Sequence, residues 1–291
     1  LDNVIDMNKF PLKEIEKMTK TNRKIGLGVM GWADMLIKLE ISYNSEEAVQ
    51  LAEKIMKFIS DEARVKSQEL SRNRGAFSAF KESIFDEAGS KELRNATLTT
   101  IAPTGTISII SNASSGIEPL FALSYYRNVM DNDKLIEVNP LFEEVAKKDG
   151  FYSRKLMEEI AEKGSIKDIE DVPEEYKKIF VTSHDIAPLW HIRMQAVFQK
   201  YTDNAVSKTV NFPHNATKDD VREVYMLAFK LGCKGVTIYR DKSREEQVLN
   251  INSNDSTKKE IVTNIAASEL LKEKKNVAPR PRPVVTNGTT T

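Results

Sequence analysis

The stretch that decides the fold spans residues 97 to 108 and reads Thr97-Leu98-Thr99-Thr100-Ile101-Ala102-Pro103-Thr104-Gly105-Thr106-Ile107-Ser108. Its first five residues form a largely β-branched run that is typical of a short buried strand. Pro103 and Gly105 end this run, because neither residue suits the interior of a strand. A second polar segment with three serines and a glycine, residues 111 to 116, follows closely. The sequence therefore predicts a strand that ends in a hydroxyl-rich turn.

Helical patterns lie on both sides of this strand. Asn44, with Glu47 three residues later, has the pattern of a helix N-cap. The apolar stripe of that helix falls at Ala48, Leu51, Ala52, Ile55, Phe58, Ile59 and Ala63. Thr217 with Asp220 repeats the capping pattern, and Gly232 stands where a glycine commonly ends a helix.

A second short strand, Val236–Tyr239, follows the later helix, so strands occur sparsely between long helices. Parallel strands need long crossover connections of this kind, whereas antiparallel strands can be joined by tight hairpins. We therefore predict an α/β fold with crossover helices, the layout of a parallel sheet or barrel.

The turn after Ile101 has the composition of a phosphate site. A strand that ends in small hydroxyl residues and glycine leaves backbone N–H groups and hydroxyls free to point at one anion. It is not a Walker motif. The alternative is an ordinary strand-to-helix turn that uses threonine and serine as caps, and composition alone favours that alternative.

Composition excludes several classes of function. The 291 residues include 43 basic and 43 acidic side chains, with no long block of either sign, so neither nucleic acid nor anionic lipid is an expected partner. No stretch approaches the roughly 18 uncharged apolar residues of a membrane span. The single cysteine, Cys233, allows neither an internal disulfide nor a multi-cysteine metal site, which fits a reducing cytoplasm.

The cluster of Gly26, Gly28 and Gly31 resembles a dinucleotide fingerprint only superficially, because its third glycine is misplaced and no clear strand precedes it. We interpret these small residues as permitting a helix to approach another backbone closely. Cys233 is interpreted as a packed small residue at a helix-to-strand junction, with a nucleophile as the alternative.

No metal site is predicted from the three histidines, His184, His191 and His214, since their spacing does not place two ligands on one helical turn. We interpret them as caps or packed core residues. Glu118 is a candidate acid or base whose alternative role is a cap. Tyr125 and Tyr126 are expected to pack rather than to carry radicals.

The chain does not begin with methionine, and its composition changes after about Asn250. A polar, lysine-rich stretch leads into Pro279-Arg280-Pro281-Arg282-Pro283, which is typical of a flexible linker that ends in an extended polyproline element. We therefore expect a piece of a longer protein with a mobile linker near its end.

Four motifs in their order and spacing resemble the C-terminal half of a ribonucleotide reductase catalytic subunit. They are residues 22–36 (NRKIGLGVMGWADML), residues 103–108 (PTGTIS), residues 114–119 (SSGIEP) and residues 234–240 (KGVTIYR). The Pro-Thr-Gly-Thr-Ile form of the turn, with the segment Lys208–Pro213, resembles the adenosylcobalamin-dependent (class II) branch. The resemblance covers about Leu1 to Leu249.

The resemblance implies a ten-stranded α/β barrel, of which residues 1–250 would form the second half. Residues 251–283 would be a flexible linker, and residues 284–291 the truncated start of a small C-terminal module that carries cysteines. In this family a cysteine thiyl radical activates the ribose, two further cysteines reduce it, and an asparagine and a glutamate assist. The resemblance places all of these catalytic residues upstream of Leu1, so this fragment is expected to be inactive alone.

For this chain the resemblance implies one substrate site. Its residues, which would hold the substrate diphosphate, are Pro103, Thr104, Gly105, Thr106, Ile107 and Ser108. The resemblance thereby reverses the preference for an ordinary turn. The turn gives no count of phosphates, so ribonucleoside di- and triphosphates both stay open as substrates.

The resemblance also implies a cofactor and partners. Iron-dependent relatives carry a tyrosine pair where this chain has Thr237 and Ile238, so the class II expectation is local radical formation by adenosylcobalamin. No cobalt ligand is assigned, because His184 precedes Asp185 and does not match the usual motif. A thioredoxin-like or dithiol reductant and a cytoplasmic homodimer are expected. The alternatives are an iron- or manganese-dependent catalytic subunit and a non-catalytic nucleotide-phosphate-binding module.

Overall fold

The fold is described from a computed structural model, which covers residues 1–81, 83–128, 134–241 and 243. The predicted linker at 251–283 and the predicted module at 284–291 lie outside the described residues. Within the described residues the helices are α1 Asp2–Met7, α2 Lys13–Asn22, α3 Trp32–Lys38, α4 Glu46–Arg74, α5 Ile84–Glu87, α6 Gly105–Ile110, α7 Pro140–Lys148, α8 Arg154–Lys163, α9 Glu174–Ile179, α10 Pro188–Gln199 and α11 Lys218–Lys230. The strands are β1 Ser124–Asn128, β2 Lys134–Val138, β3 Thr209–Phe212 and β4 Thr237–Arg240.

Helix α4 confirms the helix that the apolar stripe predicts, with two corrections. The N-cap is Ser45 rather than Asn44, because the Ser45 hydroxyl accepts from the backbone N–H of Ala48 at 3.1 Å. Phe58 is 65% exposed, so it does not belong to the buried stripe. Met56, on the buried side, is fully enclosed instead.

Helix α11 matches the sequence pattern at both ends. Thr217 and Asp220 form a reciprocal capping box, in which each side chain accepts a hydrogen bond from the other residue's backbone N–H. Gly232 follows the helix with a φ of 75°, a left-handed conformation that glycine adopts without a steric cost. The predicted strand after it is β4, which pairs in parallel with β3, with Val210 opposite Ile238.

The predicted strand at residues 97–101 is an extended segment with isolated parallel bridges on both sides. Thr99 pairs with Leu27, and Ile101 pairs with Val206 just before β3. Gly28 permits the first contact, because a Cβ at this position would lie 2.1 Å from the carbonyl oxygen of Thr100. The glycine segment does approach another backbone closely, but it does so as an extended chain and not as a helix.

Strands β1 and β2 form an antiparallel pair, with Tyr126 opposite Ile136, that the sequence analysis did not predict. Helices α7, α8 and α9 pack beside this pair around a buried cluster with Phe142, Ile160 and Phe180. A second cluster joins α3, α4 and α10, where the rings of Trp32 and Phe198 meet edge to face at 5.2 Å.

The described residues form many helices and a few short strands, as expected for the predicted α/β fold. Its three successive parallel pairings join the segment at Leu27, the segment 97–101, the β3 segment and β4. In the portion of the chain that the structure describes, no helix is both long enough and apolar enough to cross a membrane.

Candidate functional site

The polar turn lies where the segment 97–101 ends and the short helix α6 begins. Two backbone hydrogen bonds hold Ile101 in place. Its N–H donates to the Ala205 carbonyl oxygen, and its own carbonyl oxygen accepts from the Ser207 N–H. Three residues later Thr104 adopts φ 52° and ψ 21°. This left-handed conformation is rare for a β-branched residue and costs about 1 to 3 kcal/mol. The surrounding contacts must therefore stabilise the turn.

The loop that contains Ser115 and Gly116 makes those contacts. The Ser115 hydroxyl donates to the carbonyl oxygen of Pro103 at 2.5 Å, and the Gly116 N–H donates to the Thr104 hydroxyl at 2.7 Å. Gly116 has a φ of 48°, and a Cβ there would lie 3.2 Å from the carbonyl oxygen of Ala102. The loop therefore lies directly against the backbone of the turn.

The six predicted site residues lie together, but they are not equivalent. Pro103, Gly105, Thr106 and Ile107 are exposed, whereas Ser108 is only 3% exposed. The Ser108 hydroxyl donates to the carbonyl oxygen of Gly105 at 3.1 Å, so it stabilises the first turn of α6 from beneath.

Gly105 is not the strained residue of this turn. It does not have a positive φ, and a Cβ at this position would meet no atom within 4 Å, so a larger side chain would not strain the backbone. The residue in the left-handed conformation is Thr104. Open space lies above Gly105, which leaves the backbone of the turn accessible from outside.

The exposed side of the turn presents unused hydrogen-bond donors. In the described chain the backbone N–H groups of Gly105, Thr106 and Ile107 have no protein acceptor, as geometry requires for the first turn of a helix. The Thr106 hydroxyl also has no partner among the described residues. Together these groups could donate to the oxygens of one anion.

A buried polar cluster lies on the other side of the Ser115 loop. Its centre is the ammonium of Lys208, whose side chain has no solvent-exposed surface. The Nζ atom lies 2.5 Å from Oε2 of Glu118, 2.6 Å from the Thr209 carbonyl oxygen and 2.8 Å from Nδ1 of His191. Burial lowers the pKa of Lys208, and the Glu118 carboxylate opposes that shift.

The orientation of His191 follows from its two neighbours. Its Nε2 lies 3.2 Å from the carbonyl oxygen of Ser183, which can only accept, so Nε2 carries the proton and Nδ1 accepts from Lys208. Burial lowers the pKa of His191 to about 3, and the nearby Lys208 charge adds to the effect. The predicted role of a packed core residue is therefore confirmed for His191.

The sequence analysis did not identify Lys208 as part of a buried polar cluster, although it quoted the segment that contains it. Glu118 was a candidate acid or base with a cap as the alternative, and in the structure it is the partner of a buried lysine. A lysine at the start of a strand gives no sequence signal for burial, because lysine is almost always exposed.

The remaining candidates lie apart from the turn. The ring of His184 contacts Phe121 edge to face at 5.6 Å, and Nδ1 of His214 lies 3.2 Å from the Asp241 carbonyl oxygen. Cys233 is half-buried against the cluster around β3, β4 and α11, and burial raises its pKa, as expected for a packed residue. Tyr125 and Tyr126 lie on β1. Across residues 1–81, 83–128 and 134–241, no three metal-ligating side chains come together.

Comparison with known proteins gives consistent matches. The family described as "Ribonucleotide reductase, barrel domain" matches residues 1–91 and 84–239. The vitamin B12-dependent ribonucleoside-diphosphate reductase of Thermoplasma acidophilum is 54% identical over 260 residues, which cover 89% of this chain and 34% of that protein. The protein of the same name from Mycobacterium tuberculosis strain H37Rv is 47% identical over 249 residues, which cover 86% of this chain and 35% of that protein.

Among solved structures, the class Id ribonucleotide reductase alpha subunit of Actinobacillus ureae aligns with a TM-score of 0.71 and 27% identity. The alignment covers 83% of this chain and 45% of that one. The chain spans about a third of the length of the curated relatives that it matches. Because the family match extends over most of its length, the chain belongs to the ribonucleotide reductase barrel-domain family.

Proposed function

We propose that this chain is part of an adenosylcobalamin-dependent ribonucleoside-diphosphate reductase, which makes deoxyribonucleotides for DNA synthesis. The observation that carries the proposal is the turn Pro103–Ser108, with its strained Thr104 and its outward-facing donors, in a chain of the reductase barrel family. Backbone strain in proteins clusters at functional sites, where the surrounding structure supports it.

The turn would bind the diphosphate of the substrate. The N–H groups of Gly105, Thr106 and Ile107 and the Thr106 hydroxyl would donate to phosphate oxygens, and the open space at Gly105 would admit them. Thr104 and Ser108 would act indirectly, because the Thr104 hydroxyl accepts from the Gly116 N–H and the Ser108 hydroxyl donates to the Gly105 carbonyl oxygen. The names of the relatives from Thermoplasma acidophilum and Mycobacterium tuberculosis favour a diphosphate over a triphosphate substrate.

The reduction itself needs groups that this chain does not supply. Replacing the ribose 2′-hydroxyl by hydrogen consumes two electrons, which a dithiol provides as it becomes a disulfide while the hydroxyl leaves as water. Cys233 cannot serve both as the radical carrier and as a reducing pair. We therefore place the catalytic cysteines, asparagine and glutamate in the part of the full-length enzyme outside this chain, and we expect the chain alone to be inactive.

Adenosylcobalamin would supply the initiating radical in the complete enzyme. The relatives named as vitamin B12-dependent support this cofactor, as does the presence of Thr237 and Ile238 on β4 in place of a tyrosine pair. His191 does not fit a cobalt-ligating role, because it is buried with both ring nitrogens occupied. We assign the corrin no contact in this chain.

The proposal extends to fold, partners and location. The parallel pairings support the second half of a ten-stranded barrel in residues 1–250, followed by a linker at 251–283 and a cysteine-bearing module that starts at 284. A thioredoxin-like or dithiol reductant and a second copy of the enzyme would be its partners, in the cytoplasm. An iron- or manganese-dependent subunit is less well supported, since the class Id neighbour is only 27% identical.

Thr106→Val tests the turn in the full-length enzyme. The substitution removes one hydroxyl at nearly constant volume, and losing a hydrogen bond to a charged oxygen costs about 1.5 to 3 kcal/mol. We expect the affinity for the ribonucleoside diphosphate to fall roughly tenfold to a hundredfold, with the melting temperature unchanged. Equilibrium binding of the nucleotide measures the effect.

Thr106→Ser is the matched control, because it keeps the hydroxyl and removes only a methyl group. We expect its affinity to stay close to that of the wild type. If Thr106→Val binds substrate as tightly as Thr106→Ser while both proteins remain folded, the turn is an ordinary helix cap and the proposed phosphate site is wrong.

A further inference from the structure

We propose that Lys208 and Glu118 are positioning residues for the phosphate turn. Their buried ion pair ties the loop 115–118 to the start of β3, and that loop holds Pro103 and Thr104 in the conformation that would face the substrate. The inference rests on the proposed function of the turn. It extends that function by adding a lysine that does not itself contact the proposed phosphate-binding groups.

The first step is the fixed position of the lysine. An ammonium group has three hydrogens, and Lys208 has three acceptors within 2.8 Å, on Glu118, Thr209 and His191. These acceptors belong to the loop before residue 120, to the start of β3 and to α10. Because the lysine is fully enclosed, it cannot exchange these partners for water.

The second step is the attachment of the loop to the fixed lysine through Glu118. Glu118 uses one carboxylate oxygen for Lys208 and the other for the backbone N–H of Thr209, at 2.7 Å. Its own N–H donates to the carbonyl oxygen of Ser115 at 2.9 Å, which closes the turn of residues 115–118. The loop is therefore tied to β3 at one end by a bidentate carboxylate.

The third step connects the loop to the phosphate turn. Ser115 and Gly116 donate to Pro103 and to the Thr104 hydroxyl, and these bonds hold the left-handed Thr104. Without them, relaxation of Thr104 would rotate the first N–H groups of α6 away from a common point. We therefore expect loss of the ion pair to disturb the phosphate site through Ser115 and Gly116.

A purely structural role predicts a different outcome. A buried ion pair contributes little to stability relative to apolar residues of the same size, but it fixes geometry, because neither partner can move without leaving a charge unpaired. A structural pair would lower the melting temperature when it is broken and leave substrate affinity intact. A positioning pair changes the affinity for phosphate specifically.

Lys208→Met in the full-length enzyme separates the two roles. Methionine fills similar volume without the charge and leaves the Glu118 carboxylate held only by the Thr209 N–H. We expect KM for the ribonucleoside diphosphate to rise about tenfold with kcat within about threefold of wild type. The inhibition constant of inorganic pyrophosphate, used as a competitive inhibitor, should rise by the same factor, because only the phosphate end of the site is changed.

Two further variants serve as companion and control. Glu118→Gln keeps an acceptor for the Thr209 N–H but removes the charge that holds Lys208, so we expect a smaller rise in KM and in the pyrophosphate inhibition constant. Lys200→Met makes the same side-chain change at an exposed pair with Glu53 and should leave both constants unchanged. If Lys208→Met does not fold, Glu118→Gln alone decides the question.

The inference is overturned if the folded Lys208 and Glu118 variants keep wild-type values for KM and pyrophosphate inhibition, whatever their melting temperatures. Thr106→Val distinguishes this failure from failure of the proposed function. If Thr106→Val weakens substrate binding and the Lys208 and Glu118 variants do not, the phosphate site stands and only the positioning role is lost. If Thr106→Val also binds normally, both ideas are wrong.

Discussion

The fold strongly disfavours the charged form of His191. Its imidazole lies between Ser183 and the Lys208 ammonium, and its folded pKa of about 3 compares with an ordinary value of 6.5. Below pH 6.5 the unfolded chain therefore binds a proton that the folded chain rejects, so stability falls as the pH falls. Between pH 6.5 and 4.5 the loss from this one group should reach about 2 kcal/mol.

His191→Gln tests this prediction, since glutamine can donate to the Ser183 carbonyl and accept from Lys208 but does not titrate. We expect its free energy of unfolding, measured by urea titration of the full-length protein, to fall less steeply with acid than that of the wild type. Equal slopes in the wild type and in His191→Gln would show that His191 is not protected from protonation.

Sequence reasoning reached some of these residues and not others. It predicted that His191 and Cys233 would be packed, because isolated residues of these types seldom form sites. It did not identify Lys208, whose burial depends on an acid 90 positions earlier in the chain. The left-handed conformation of Thr104 depends equally on contacts with the Ser115 loop, so the local sequence predicted the turn but not which of its residues adopts the unusual backbone.

At the scale of elements, the N-terminus of α4 gives a direct test of local structure. Ser45 caps this helix, and replacing an N-cap serine by alanine costs about 0.5 to 2 kcal/mol. We expect Ser45→Ala to lower the free energy of unfolding by that amount. Asn44→Ala, which removes only an acceptor for the Ser42 hydroxyl, should cost about 0.5 kcal/mol or less. If Asn44→Ala cost more than Ser45→Ala, Asn44 would be the N-cap, as the sequence pattern predicted.

Elements with a strong local signal were predictable. The capping box of α11, the glycine that follows it and the run of β4 carry their signal in neighbouring residues, and each appears within one residue of its predicted position. The sequence analysis did not identify the β1–β2 pair, although Asp131-Asn132-Asp133 between the two strands is typical of a turn. Phe58 was wrongly assigned to the buried stripe, because periodicity alone does not determine how wide the buried face of a helix is.

At the scale of the whole molecule, the proposed function rests on the family match, on the parallel segments and on the turn at residues 103–108 as the proposed phosphate site. The sequence predicted the α/β class from sparse strands between helices, and the motifs predicted the family, which the comparisons confirm. The order of parallel pairings could not be read from the chain, because Ile101 pairs with a residue more than a hundred positions later. Such non-local contacts depend on the packed structure.

The formation of deoxyribonucleoside diphosphate by the full-length protein tests the central claim most directly. Supplied with a ribonucleoside diphosphate, a dithiol and adenosylcobalamin, and with no iron- or manganese-containing subunit, the protein should form the deoxynucleotide. Omission of adenosylcobalamin should abolish the product, and the 291-residue chain alone should form none, since Cys233 is its single thiol. Product formed without the cobalamin, or by the isolated chain, would contradict the account.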